Sequence, residues 1–295
     1  MSTTGRAEIF DLGYQGYDGE RTSRWRRRRA IWRDGVRISL GLGRGTGAKV
    51  APWLLIALAL APAAVLVVLA AFLGSVPTSP DDFELPSYAE YYEFAIIPLG
   101  LFAAVVAPLL VCPDRKDGVL SLYAARPITS TDYVASRWFG FFTVAAIVAC
   151  VPEAVLFVWN LLDAHATGSW IRDNWDVVPR FLASGLAVSV VFTTLALFVA
   201  SFTTRRAYAA IGTVAVLFLG GAIGGIGHDN FDGTLSKVLS EADVLRSLVD
   251  TVHWLFGDEI EPTYAPGWVS ALWLMALTVV LAVWLLRRTE RMVRG

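Results

Sequence analysis

The chain has 295 residues, of which 55% are hydrophobic and 17% charged, with a mean hydropathy of +0.54. An ordinary soluble domain carries about a quarter charged residues, so the expected fold class is an all-α membrane protein. A formal net charge of −1 argues against a nucleic-acid binder, and Cys112 and Cys150, the only two cysteines, lie in or beside apolar runs and suggest no disulfide scaffold.

The first fifty residues are polar and Arg-rich, which is not the pattern of a cleavable signal peptide. Within them, DGERTSRWRRRRAIWRDGVR (18–37) interleaves arginine with tryptophan. On a helix Trp25, Trp32, Val36 and Leu40 share one stripe, and Arg29 falls on it and must snorkel. Arg26, Arg27, Arg33 and Arg37 point elsewhere. This predicts an N-terminal interfacial amphipathic helix in the lipid headgroup layer, an elbow feeding the first span. Its tether to a span excludes nucleic acid as its target. GLGRGTG (41–47) has no strand before it and no Lys-Ser/Thr after it, so it reads as a hinge and not a phosphate loop.

Six apolar runs follow, at about 51–74, 94–112, 138–162, 181–203, 207–227 and 267–286, each near the roughly 20 residues that cross a bilayer core. Pro62, Pro98, Pro108 and Pro152 do not veto them, because neighbouring helices re-satisfy freed backbone groups. Between the first two runs, 75–93 is an acidic, proline-punctuated loop. After the second, CPDRKDGVLSLYAARPITSTDYVASRW (112–138) predicts a short helix VLSLYAAR stopped by Arg126-Pro127. Ser130 or Thr131 is then expected to cap the third span, with Asp132 at the positive end of its dipole.

Glu153 is the only carboxylate well inside a run. Such a charge costs about 2.5–3.5 kcal/mol on insertion scales, which makes Glu153, with nearby Trp159 and Asn160, a pathway candidate. A packing carboxyl beside the Pro152 kink is the plainer alternative. Residues 163–180 form a short connection. Gly220, Gly221, Gly224, Gly225 and Gly227 crowd the outer half of the fifth run and suit either a subunit interface or close packing within the chain. In 228–266, Leu235, Val238, Leu239, Ala242, Leu245, Leu248, Val249, Val252 and Phe256 recur at helical spacing. They predict extracellular amphipathic helices, lying on the outer leaflet or capping the bundle.

An even number of spans puts both termini on one side, and that side holds 21 of the 25 Lys and Arg residues. The other side holds Arg172, Arg180, Lys237 and Arg246 against 16 acidic residues. The bias predicts cytoplasmic N and C termini in the inner (plasma) membrane. The chain divides into an arm (1–50) and a six-span domain (51–295). No phosphate loop and no H-E-x-x-H is present, and His165, His228 and His253 lack ligand spacing, so neither a bound metal nor a catalytic centre is expected.

Asp117, Gly118, Leu120, Pro127, Ile128, Asp132 and Tyr133 stand in the order span end, Asp-Gly turn, Leu-rich short helix, Pro, Asp-Tyr. This region resembles the coupling segment of permeases of the ATP-binding-cassette type-2 exporter family, and GYQGYDGER before the Arg-rich helix is similar to permeases of that family from high-GC bacteria. The resemblance implies a permease that pairs with a second copy or paralogue and docks a separate ATPase subunit. ATP and magnesium would sit on that subunit, with no cofactor on this chain. It implies a coupling role within 113–135 for Asp114, Arg115, Asp117, Gly118, Leu120, Leu122, Arg126 and Pro127. A non-catalytic membrane anchor or assembly factor, and an intramembrane enzyme built around Glu153, are the competing readings.

Overall fold

A computed structural model describes residues 23–43, 45–74, 87–118, 128–163, 167–258 and 264–294. Among them are ten helices and no strand: α1 (Arg24–Ser39), α2 (Gly47–Gly74), α3 (Tyr88–Lys116), α4 (Ser130–Asp163), α5 (Thr167–Asp173), α6 (Val177–Ala200), α7 (Arg206–Asn230), α8 (Gly233–Ser240), α9 (Val244–Phe256) and α10 (Gly267–Arg294). Six of these, α2, α3, α4, α6, α7 and α10, are long and apolar enough to cross a membrane. The six predicted spans correspond to them one for one.

The helices outrun the apolar runs because polar turns extend them. α3 starts at Tyr88, six residues ahead of its run, where Ser87 and Glu90 form a capping box: Ser87 Oγ accepts from Glu90 N at 3.2 Å and Glu90 Oε2 from Ser87 N at 2.8 Å. α4 starts at Ser130 and not at 138, and its cap is Thr129, one residue ahead of the expected pair. Thr129 Oγ1 accepts from Asp132 N, and Asp132 Oδ2 from Thr129 N. The connection after α4 is not featureless either, since α5 lies in it.

α3 and α6 form the centre. Tyr91, Tyr92, Phe102 and Leu110 of α3 pack with Phe141 of α4 and Val188, Phe192 and Leu195 of α6 in one cluster. α2, α7 and α10 lie at the periphery and keep one face open: Val65, Val68 and Phe72, Ile211, Leu219 and Ile226, Met275, Val279 and Val280 are exposed. Water would penalise that much uncovered hydrocarbon, and lipid does not. Hydroxyls along the helices bond their own backbone one turn back. Ser189 donates to Gly185 O, Thr194 to Val190 O, Thr213 to Ala209 O and Thr289 to Leu285 O, at 2.7–2.9 Å.

The glycines of α7 resolve as close packing within the chain. A β-carbon on Gly220 would meet the Ala242 carbonyl oxygen at 2.5 Å, and one on Gly227 would meet Leu239 Cβ at 2.3 Å. Gly225 faces open space. They admit the α8–α9 corner against α7. α9 then lies across α3, α6 and α10 as a packed cap, with Val244, Leu248 and Val252 buried. Glu241 at this corner accepts from Ser247 at 2.8 Å and from Ser270 of α10 at 2.7 Å.

α1 begins at an N-cap, Ser23, and ends in a left-handed turn at Gly41 (φ 66°), where Gly41 N reaches Ile38 O and Leu42 N reaches Arg37 O. A side chain at Gly41 would strain that reversal. The stripe read from the sequence is only partly the one that packs. Ile31, Gly35 and Ser39 are the buried line of α1, with Val36 and Leu40 packed at its edge. Trp25 is 67% exposed.

Candidate functional site

The end of the bundle where α3 stops and α4 starts holds four of the eight predicted coupling residues, Asp114, Arg115, Asp117 and Gly118. α1 crosses α4 at a glycine pair: a β-carbon on Gly140 would stand 2.9 Å from the Trp32 carbonyl oxygen and 3.0 Å from Gly35 Cα. That approach lets Trp32 Nε1 donate to Thr143 Oγ1 at 3.1 Å. No bulkier pair of residues fits there without prising the helices apart.

Charge then locks the crossing. Asp132 in the first turn of α4 is 1% exposed and accepts from Arg24 Nε at 2.8 Å, and Arg28 Nε lies 3.1 Å from its other oxygen. One turn on, Arg137 is 3% exposed and bridges two helices. Its Nη1 donates to Asp34 of α1 at 2.6 Å and its Nη2 to Asp114 of α3 at 2.7 Å. Tyr133 donates to the same Asp114 oxygen at 2.7 Å. A buried guanidinium is tolerated only where carboxylates compensate it, and removing a shielded partner such as Asp114 costs about 3–5 kcal/mol. Asp34, Asp114, Tyr133 and Arg137 therefore join α1, the end of α3 and the start of α4 into one rigid corner.

Arg115 follows Asp114 in sequence but turns away from it, toward α6. Its Nη1 donates to Ser201 O and, at 3.1 Å, to Thr203 O. These carbonyls belong to the C-cap of α6 and the turn after it, past the last helical N–H. α3 then stops: Asp117 is exposed and Gly118 reverses the chain at φ 66°, a conformation that costs other residues strain. Leu120, Leu122, Arg126 and Pro127, and the short helix expected around them, lie outside the described residues. What is described is the frame on both sides of that segment, at Gly118 and at Ile128.

Of the interfacial residues, Trp32 and Val36 face the protein, while Trp25 and Arg29 are exposed. Trp25, Arg28, Arg29 and Trp32 form one wall of an open groove of about 610 Å³, and Ala135, Ser136 and Phe139 of α4 form the other.

The pathway candidates lie deeper. Glu153 is fully buried, and among the described residues neither carboxyl oxygen has a hydrogen-bond partner. Asn160, two turns on, receives no such isolation: its Nδ2 donates to Tyr88 Oη at 2.9 Å. Trp159 is half-buried. Facing this side of α4 is a tyrosine series on α3. Tyr92 donates to Ala149 O at 3.3 Å and Tyr91 to Ala59 O at 2.5 Å. Tyr88, Tyr91 and Tyr92 were legible as an i, i+3, i+4 set, but no sequence signal tied them to Glu153. Arg137 was missed as well, because its neighbours Asp34 and Asp114 are distant in sequence. Among the described residues no group of His, Cys, Asp and Glu could hold a metal ion.

No protein-family model matches the chain, and no curated protein sequence matches it.

Proposed function

We propose that the chain is the membrane-spanning permease subunit of an ATP-driven exporter, with both termini in the cytoplasm and a separate ATPase subunit docked beneath residues 113–135. The observation that carries the reading is the Arg137 corner. It fixes the elbow helix α1, the end of α3 and the start of α4 to one another on either side of 119–127, so a push on that segment moves three helices together. The excess of Lys and Arg on this face supports the orientation. The open apolar faces of α2, α7 and α10 leave room for a second permease copy as well as for lipid.

The test is to co-express the chain with a nucleotide-binding ATPase chain encoded beside it and to replace 119–127 by a Gly-Ser linker of equal length. Loss of the ATPase from the purified complex, with the six-span protein still folded by thermal melting, is the expected result. Unchanged ATPase retention and turnover would overturn the assignment.

A further inference from the structure

Arg115, Arg288 and Arg291 line a recess of about 240 Å³ at the end of the bundle where α3 stops, with Trp284 of α10 as its fourth wall. Two of the guanidiniums are held by backbone. Arg115 and Arg288 both donate to Ser201 O, Arg288 through Nε at 3.0 Å, and Arg288 also lies 4.1 Å over the Phe202 ring. Among the described residues none of the three arginines is paired with a carboxylate, and Glu290, adjacent in the chain, makes no ion pair. This differs from the Arg137 corner, where each guanidinium charge meets an aspartate.

Like charges repel, so holding three guanidiniums around one recess is costly unless an anion occupies it. The carbonyls of Ser201 and Thr203 orient Arg115 and Arg288 but supply only partial charge. Planar guanidiniums so fixed suit the oxygens of a phosphate, which accept paired N–H groups. The recess is several times the roughly 30 Å³ share of one water molecule. Its aromatic surroundings place it at a membrane boundary: Trp284, one of its walls near the end of span α10, and Phe202, which lies under Arg288 just past the end of α6, are both about half exposed. Tryptophan beside basic residues at a span end is the composition of the headgroup layer.

We propose that this recess binds the phosphate headgroup of an anionic phospholipid. Arg288 and Arg291 contact the phosphate oxygens, Arg115 supplies charge behind them, and Trp284 lies along the first acyl carbons. The bound lipid joins α3, α6 and α10 where, among the described residues, no side-chain ion pair does.

Native mass spectrometry of the detergent-purified full chain, titrated with dioleoylphosphatidylglycerol and with dioleoylphosphatidylcholine, tests it. The wild type binds the anionic lipid in preference to the zwitterionic one. Arg291 is exposed and among the described residues makes no hydrogen bond, so R291Q folds normally. It weakens phosphatidylglycerol binding about fivefold, taking about 1 kcal/mol per basic residue near anionic lipid. R288Q/R291Q weakens it about 25-fold, while R172Q/K237Q, in the connections after α4 and α7 at the opposite end of the bundle and with the same charge change, binds as the wild type does. Equal binding by R291Q and wild type would overturn the site, as would an equal loss in R172Q/K237Q. Inorganic phosphate at millimolar concentration displaces little lipid; full displacement would overturn the lipid assignment in favour of free phosphate.

Discussion

Alanine at Gly140 separates docking of the elbow helix from stability of the bundle. The added methyl would sit 2.9 Å from the Trp32 carbonyl oxygen and 3.0 Å from Gly35 Cα. Carbon–oxygen contacts settle at about 3.3 Å or more, so α1 must retreat by roughly half an ångström. Overpacking of this kind costs about 1–3 kcal/mol. Alanine recovers up to about 1 kcal/mol because it is the better helix former within α4. The net loss, about 1–2 kcal/mol, falls on the contact between α1 and α4, since the three atoms nearest that methyl all belong to α1. Hydrogen–deuterium exchange followed by mass spectrometry reads it directly. Amides of 24–39 should exchange about 5–30 times faster in G140A than in wild type, while those of α3 and α6 stay protected. Equal or slower exchange in α1 would refute the glycine crossing as its anchor. A uniform acceleration through α3 and α6 would refute its independence from the core.

Three further predictions follow from the same geometry. D114N strips a shielded partner from buried Arg137 and should cost about 3 kcal/mol, whereas D34N, whose carboxylate is 56% exposed, should cost under about 1 kcal/mol; thermal melting in detergent ranks them. On α7, G227A should loosen α8, because a methyl meets Leu239 Cβ at 2.3 Å, while G225A faces open space and should be neutral or slightly stabilising; limited proteolysis of the α8–α9 cap distinguishes the two. Burial pushes the Asp250 carboxyl up to about 6, against the pull of Arg246 and with Glu241 adding to the rise. A folded value above the unfolded one favours the fold fully below about pH 4, and the benefit is lost as pH rises through 6. Relative to D250N, the wild type should therefore lose up to about 3 kcal/mol between pH 4 and 7.5, seen as a fall in melting temperature that the variant lacks.

The spans were legible because their apolar runs are long enough to leave only one structural solution. Their ends were less so. Ser87 and Glu90 carry a readable capping box, yet hydropathy alone placed the start of α3 six residues late. The amphipathic pattern of 235–256 left a leaflet helix and a packed cap equally open. Only the fit of Ala242 and Leu239 against Gly220 and Gly227 decides for the cap. At the candidate site Asp114 and Arg115 were visible as polar residues at a span end. Their opposite directions, one toward α4 and one toward α6, depend on which helices lie beside α3, and that is a long-range fact. Arg137 belongs to the same class: its partners lie 103 and 23 residues away.

The hydroxyls that bond their own carbonyls one turn back bear on how such a chain enters a bilayer. A serine or threonine whose donor is satisfied inside its own helix needs no neighbour, so α7, whose one such hydroxyl is Thr213, can partition singly as it leaves the ribosome, whereas Ser270 of α10 waits for Glu241. α4 has no such independence. Arg137 and Glu153 ride on it, and Arg137 finds its counter-charges only after α1 and α3 are in place. The cost of Arg137 on the third span is accordingly discharged against α1 and α3 at assembly, not at insertion, while Glu153 finds no hydrogen-bond partner among the described residues.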